Sequence, residues 1–388
     1  MAKVTLKGIT WGHSRGFTPL LAMSQRYTEL YPEVTIQWDI RSLQAFADYP
    51  IEKLTESYDL LIIDHPWVGC AAATNCVLPL DQYLDASYLE NQLENSVGNS
   101  HLSYHYQGHQ WALAIDAATP AASYRPDLFA KAHQTIPNNW EALLDLAKAG
   151  KVAIPAIPID CLMNFYSFCI LHGKYPFTNQ SILIDNEIGC KALETMKELY
   201  SLLDPRFFQC NPIAVAELMS STNDYWYCPF AYGYSNYARD GYAQYLLRYT
   251  GTVSVLGHQL RTTIGGTGLS VSAHSKYPEL ALAFTQMAVS EAWQSGIYVQ
   301  HGGQPGHLAA WKNDIANTLT NDYFKQVLPL MERGYTRPRY NGYLYFQDHA
   351  GAPVQAFLMG KISALDALEQ MNELYQTSLT MDHSIALV

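Results

Sequence analysis

Residues Gly265–Gly306, GGTGLSVSAHSKYPELALAFTQMAVSEAWQSGIYVQHGGQPG, decide the reading of the fold. A glycine-rich entry leads into Leu269-Ser270-Val271-Ser272, which alternates like a strand. Ser275-Lys276-Tyr277-Pro278-Glu279 then reads as a helix start, with Ser275 as N-cap and Glu279 in the first turn. Leu280, Ala283, Phe284, Met287, Ala288 and Trp293 follow at helical spacing, and His301-Gly302-Gly303-Gln304-Pro305 closes the unit with a turn. Glycine pairs at both ends of one strand–helix unit imply backbone brought close to another segment or to a ligand.

Upstream, the chain has the order of an open, mostly parallel sheet. Val4–Trp11 alternates as a first strand, Gly12–Gly16 reads as a loop, and a helix is expected from Pro19 to Leu30. Val34–Asp39 is a second strand, Phe46–Glu56 a helix, and Tyr58-Asp59-Leu60-Leu61-Ile62-Ile63-Asp64 a buried strand of the parallel kind. Ligands of such sheets bind at the carboxyl ends of the strands. Those ends carry Trp11, His13 and Arg15 in one loop, and Asp64, His65 and Trp67 in the next. Each supplies an indole, an imidazole and a charged group.

Composition narrows the function classes. The 388 residues are enough for two domains, and 48% are hydrophobic, so a normal core is available. Net charge is −11, from 35 acidic against 24 basic residues, without a run of Lys or Arg, which argues against nucleic-acid or anionic-membrane partners. The seven cysteines include no CxxC pair, so a zinc site is not indicated; Cys70 and Cys76 are spaced to close a small loop. No stretch reaches the length of a membrane span, and no basic segment followed by an apolar one precedes the first strand. These features fit either a periplasmic or extracytoplasmic mature form or a cytoplasmic protein.

His101, His105 and His109 have helical i, i+4, i+8 spacing, which would suggest a metal, but Gln107-Gly108 is a turn signal and the flanks alternate, so a hairpin is expected instead. Asp116 is expected to end the second strand of that hairpin, where it serves either a ligand hydroxyl, or a helix N-cap or turn. Asp160–His172 reads as a buried helix. The tyrosine-rich run Asp224–Tyr237 reads as a strand leading to a loop whose rings face a ligand, or as an aromatic wedge between lobes. Arg337–Phe346 is a second aromatic stretch, broken by Pro and Gly. A helix over Ile362–Leu374 starts at the N-cap Ser363.

With these patterns in order, the chain resembles the extracellular solute-binding protein family that includes maltose-binding protein, the recognition subunit of ABC sugar importers. The resemblance spans nearly the whole chain. It rests on YDLLIIDHPWVG (58–69), VLPLDQYL (77–84), WALAIDAATPAASYRPDLF (111–129), PFAYGYSNYA (229–238), the 265–294 unit, the GGQP turn (302–305) and GKISALDALEQMNELYQ (360–376). It implies an α/β fold of the two-lobed periplasmic-binding-protein type II, each lobe a mixed sheet flanked by helices, with ligand in the cleft. Lobe 1 would take residues 1–116 and 265–310, and lobe 2 residues 117–264 and 311–388. The implied cleft residues are Trp11, His13, Arg15, Asp64, His65, Trp67, Asp116, Tyr232, Tyr234, Gly266, Gly303, Gln304, Tyr340 and Tyr343.

The resemblance further implies a monomer that binds a small polar solute, carbohydrate or sugar-like, in an aromatic-lined cleft, closes about a hinge and docks on ABC permease subunits. No cofactor, metal or chemistry of its own is expected. The cationic first loop departs from the acids and amides usual in sugar binders and suits a carboxylate or phosphate on the ligand. Two other classes stay open: an enzyme or sensor acting on a small carboxylate-bearing molecule, and a ferric-ion binder built from tyrosines. No nucleophile, zinc or phosphate-loop motif supports the first, and no Tyr-Tyr dipeptide supports the second.

Overall fold

A computed structural model describes residues 3–42 and 51–381. Strand β1 (Val4–Trp11) leads into helix α1 (Ser14–Leu30), which returns to β2 (Val34–Arg41); β3 (Leu60–Ile63) follows. Both β2 and β3 pair with β1 in parallel, as the strand–helix–strand order predicts. All four residues of β3 are buried, which is what a strand covered on both faces requires. Helix α1 begins earlier than the sequence suggests. The His13 Nδ1 atom accepts the Arg15 backbone N–H at 3.0 Å and caps the helix there, so Pro19 lies inside it and Arg15 belongs to its first turn rather than to a loop. Of the helix expected over Phe46–Glu56, Ile51–Leu54 is helical, and the part before Ile51 lies outside the described residues.

The three histidines fall on a hairpin. His105-Tyr106 pairs antiparallel with His109-Gln110, and Gln107 and Gly108 both take positive φ in the turn. Strand β4 (Leu113–Ala118) comes next, and Asp116 is not at its end but within it, fully in the sheet. After Thr119 the chain enters β5 (Pro120–Tyr124), which belongs to a different sheet. Helix α2 (Pro158–Leu171) is buried along nearly its whole length and packs against α3 (Asn186–Tyr200). The tyrosine-rich run forms β6 (Tyr227–Tyr232), and β7 (Arg248–Thr250) completes a three-stranded sheet in the order β6-β5-β7.

The Gly265–Gly306 stretch then returns the chain to the first sheet. Strand β8 (Gly265–Val271) lies antiparallel between β3 and β4, giving the order β2-β1-β3-β8-β4. Its helix, α4 (Pro278–Ala288), starts three residues beyond the expected cap. Pro278 occupies the first helical position, while the Ser275 hydroxyl donates to Asp59 Oδ1 at 2.6 Å. The helix also ends before Trp293, which lies in a short turn leading to a π turn over Gln294–Tyr298.

Helix α5 (Tyr343–Leu358) follows and lies between α2 and α6 (Ala364–Thr380), the latter opened by a capping box of Ser363 and Asp366. A Cβ at Gly351 of α5 would collide with the Pro158 carbonyl, so this glycine is what allows the first turn of α2 to sit directly on α5. Gln355 fixes the same corner, its amide donating to the carbonyls of Ala156 at 2.8 Å and Phe208 at 3.0 Å. The result is a two-lobed α/β molecule, one lobe on each sheet.

The crossing between sheets is stitched by hydrogen bonds. Thr119 Oγ1 lies 2.7 Å from Thr262 Oγ1 and donates to the Thr263 carbonyl at 3.0 Å. Tyr335 joins the same place, its N–H reaching the Thr262 carbonyl and its carbonyl accepting from the Ile264 N–H. Three segments distant in sequence therefore meet at one narrow waist. All seven cysteines are free thiols.

Candidate functional site

A cavity of about 590 Å³ lies beside this waist. From the first sheet it receives Trp11 and Arg15 at the end of β1, and Asp64 and Trp67 at the end of β3. Gly265, Gly266 and Thr267 of β8 form its floor, and Tyr232 and Tyr234 stand where β6 ends. The remaining wall comes from the first turn of α2, from Asn211-Pro212, and from Arg337 and the start of α5. Four aromatic rings together with Ile157, Ile159, Met163 and Leu344 make much of the lining apolar, the usual character of a small-molecule site of this size.

Two ion pairs sit on this wall. Arg15, only 3% exposed, donates from Nε to Asp116 Oδ2 at 2.9 Å, from Nη2 to Asp116 Oδ1, and from Nη1 to the Gly233 carbonyl at 3.0 Å. Its guanidinium also lies over the rings of Tyr234 and Trp11, at 4.9 and 5.6 Å from their centroids. Burial alone would lower the Arg15 pKa, but the Asp116 carboxylate outweighs it and holds the group firmly charged. The expectation of a free cationic first loop, suited to an acidic ligand, is therefore corrected: Arg15 spends its charge on Asp116, which reaches it because β4 runs beside the start of α1.

A second pair sits on the same wall. Arg337 Nη2 donates to both Asp64 oxygens, at 2.6 and 2.7 Å, and Nη1 donates to Gln347 Oε1 at 2.7 Å. Burial pushes the Asp64 carboxyl up, yet the Arg337 guanidinium dominates and holds it well below the usual carboxylate range. This pair ties the end of β3 to the segment before α5. The first pair ties α1 to β4 of the first sheet, the second ties β3 of that sheet to a segment outside it, and their four members together leave the cavity without net charge.

Asp160, in the first turn of α2, is different. It is 6% exposed, lines the cavity, and its Oδ2 has no hydrogen-bond partner. Burial alone pushes its pKa up to about 8. Asp160 and Arg337 were not among the residues expected from sequence. The available signal for Asp160 was one carboxylate inside the otherwise apolar run Ile157–Met163; for Arg337, it was a cation in an aromatic segment.

The expected cleft residues divide. Trp11, Arg15, Asp64, Trp67, Tyr232, Tyr234 and Gly266 are brought to the cavity. Gly266 has φ +99°, and a Cβ there would collide with the Asp116 carbonyl, so its conformation is needed for the β8–β4 pairing. Asp116 lies behind Arg15. His13 packs on the rings of Trp11 and Tyr234, at 5.7 and 4.7 Å between centroids, and burial followed by the nearby Arg15 lowers its pKa to about 4.

His65 is fully buried, its pKa lowered to about 4 by burial and by Arg337; the β3 end turns its ring into the protein. Gly303 packs against the Tyr298 ring, and Gln304 is fully buried, accepting the Ser235 N–H at 2.6 Å and donating to the Ala117 carbonyl at 3.1 Å. These two brace the waist rather than edging the cavity. Tyr343 is also misplaced by the sequence reading. It opens α5, so its ring turns into the core, its hydroxyl 3.3 Å from that of Tyr166. Tyr340 lies outside the cavity too, its hydroxyl 2.6 Å from Ser378 Oγ. Among the described residues, no three His, Cys, Asp or Glu side chains are grouped to hold a metal ion.

Known structures share this architecture. Maltose-bound MalE3 of T. maritima superposes with a TM-score of 0.83 at 16% identity, over 96% of this chain and 99% of that one. An ABC transporter solute-binding protein of Agrobacterium radiobacter K84 in complex with ribitol gives 0.81 at 19% identity, over 97% and 99% of the two chains. One from Agrobacterium vitis S4 with bound D-mannitol gives 0.77 at 14% identity, over 97% and 98%. No curated protein matches the chain. Residues 12–295 match the family model described as bacterial extracellular solute-binding protein, and the chain belongs to that family.

Proposed function

We propose that this protein captures a small polyhydroxylated solute in the cavity beside the waist, closes on it about the Thr119–Thr263 hinge, and delivers it to the permease of an ABC transporter. One observation carries the reading: the cavity is walled by indole and phenol rings from both lobes, with ion pairs Arg15–Asp116 and Arg337–Asp64 already satisfied behind them. Rings of this kind stack on the apolar faces of sugars and polyols, and the volume of about 590 Å³ suits a molecule of one or two rings. The structures named above that hold maltose, ribitol and D-mannitol support the same solute class.

The lobes in this proposal comprise residues 1–116 with 265–310, and 117–264 with 311–388. The protein works as an extracytoplasmic monomer without chemistry of its own and without nucleic-acid partners. His65, the imidazole nearest a carboxylate at the β3 end, is fully buried and its Nε2 is unpartnered, which leaves it poorly placed to move a proton to or from a cavity ligand. No helix among the described residues is long and apolar enough to cross a membrane.

The test is a thermal-shift titration with mono- and disaccharides and alditols. A native-state ligand at one hundred times its Kd raises stability by about 2.7 kcal/mol. A panel that leaves the melting temperature unmoved throughout would remove the proposal.

A further inference from the structure

Among the described residues that line the cavity, Arg15, Asp64 and Arg337 have ion-pair partners within the protein, and the buried Asp160 does not. Arg15 is taken by Asp116 and Arg337 by Asp64, whereas Asp160 faces the cavity 6% exposed with an unpartnered Oδ2. The titratable groups whose fields reach Asp160 are Cys161 on its own helix, Tyr200 on α3, Cys228 and Tyr232 on β6, and Tyr234 just beyond. None of them is a cation. Asp348 and His349 also line the cavity, exposed on α5.

We propose that the solute carries an amino group and that Asp160 is the residue that binds it, which narrows the solute from polyols in general to amino sugars or amino alditols. The inference rests on the solute-capture reading above. An ammonium placed against Asp160 forms a charge-assisted hydrogen bond, roughly twice as strong as a neutral one, and pairs this buried carboxylate as Asp116 and Asp64 are paired. A hydroxyl cannot do this, because it leaves the carboxyl either ionised without a cation or protonated. Burial keeps Asp160 protonated near neutral pH, its pKa pushed up to about 8. An ammonium ligand binds the ionised form, so capture releases the carboxyl proton to solvent and tightens as pH rises toward about 8.

The experiment compares isosteric pairs, D-glucamine with D-sorbitol and D-glucosamine with D-glucose, by calorimetry on the wild type and on Asp160→Asn. At least one amino member should bind about tenfold or more tightly than its hydroxyl counterpart. That preference should vanish in Asp160→Asn, and heats measured in buffers of different ionisation enthalpy should reveal proton release. Hydroxyl members binding as well as amino members, or a preference that survives Asp160→Asn, overturns this inference and leaves polyol capture standing. If no member of either pair binds, the capture reading falls along with it.

Discussion

Replacing Asp160 with Asn isolates the energetic consequence of one buried carboxyl. The side chain is 6% exposed, and burial pushes its pKa from 3.8 up to about 8. In the unfolded chain the group ionises near its ordinary value; in the native protein it keeps its proton until about pH 8. Between those limits the native state binds more protons than the unfolded state, so stability falls as pH rises. The whole contribution is present below the unfolded pKa and has been lost once pH passes the folded one. From the shift, the cost at pH 7 is of the order of 4 kcal/mol, a substantial part of the 5–15 kcal/mol typical of folded proteins.

Asn keeps the shape and cannot ionise. Urea denaturation of both proteins from about pH 5 to about pH 9 measures the difference, because other groups titrate alike in both and cancel. The variant should gain on the wild type steadily with pH and level off above about pH 8. A difference independent of pH would refute the claim that Asp160 is buried without a cation.

Three further outcomes are expected. Asp116→Ala leaves Arg15 charged and buried, and should cost about 3–5 kcal/mol in urea denaturation, whereas the double change Arg15→Met with Asp116→Leu should recover much of that loss. Gly266→Ala forces a side chain into φ +99° against the Asp116 carbonyl, and should lower stability by more than about 1 kcal/mol, read from the same denaturation curves. Tyr232→Ala removes a ring from the cavity wall and should weaken polyol binding about tenfold or more in calorimetry, with the far-ultraviolet circular dichroism of the folded protein retained.

The strands of the first sheet and Tyr227–Tyr232 of the second were legible because hydrophobic alternation is a local signal, whereas β5 and β7 were not read and the return of the chain at Gly265 was implied only by the resemblance. The pairs that shape the site were not legible either. Arg15 and Asp116 were each singled out, but their contact spans 101 residues and arises only when β4 lies beside α1, which turns an apparent ligand-binding cation into a structural one. Asp160 stayed hidden inside an apolar run, where helical periodicity reads only as burial. Tyr340 and Tyr343 were placed in the cleft by the resemblance, segment for segment, and lie elsewhere because the start of α5 at Tyr343 sets the direction of the ring. Which face a side chain takes at a helix start depends on the packing of α5 between α2 and α6, and composition carries no record of that.

The central claim, that the cavity beside the waist is where solute binds, is tested most directly by intrinsic fluorescence titration. Trp11 and Trp67 both line that cavity. Adding a bound sugar, alditol or amino counterpart to the wild type should give a saturable change in tryptophan emission, and conservative Trp67→Phe should shrink that change and weaken binding. A ligand that binds by calorimetry but leaves the emission unaltered, and binds Trp67→Phe with the same affinity, would place the site elsewhere and contradict the account.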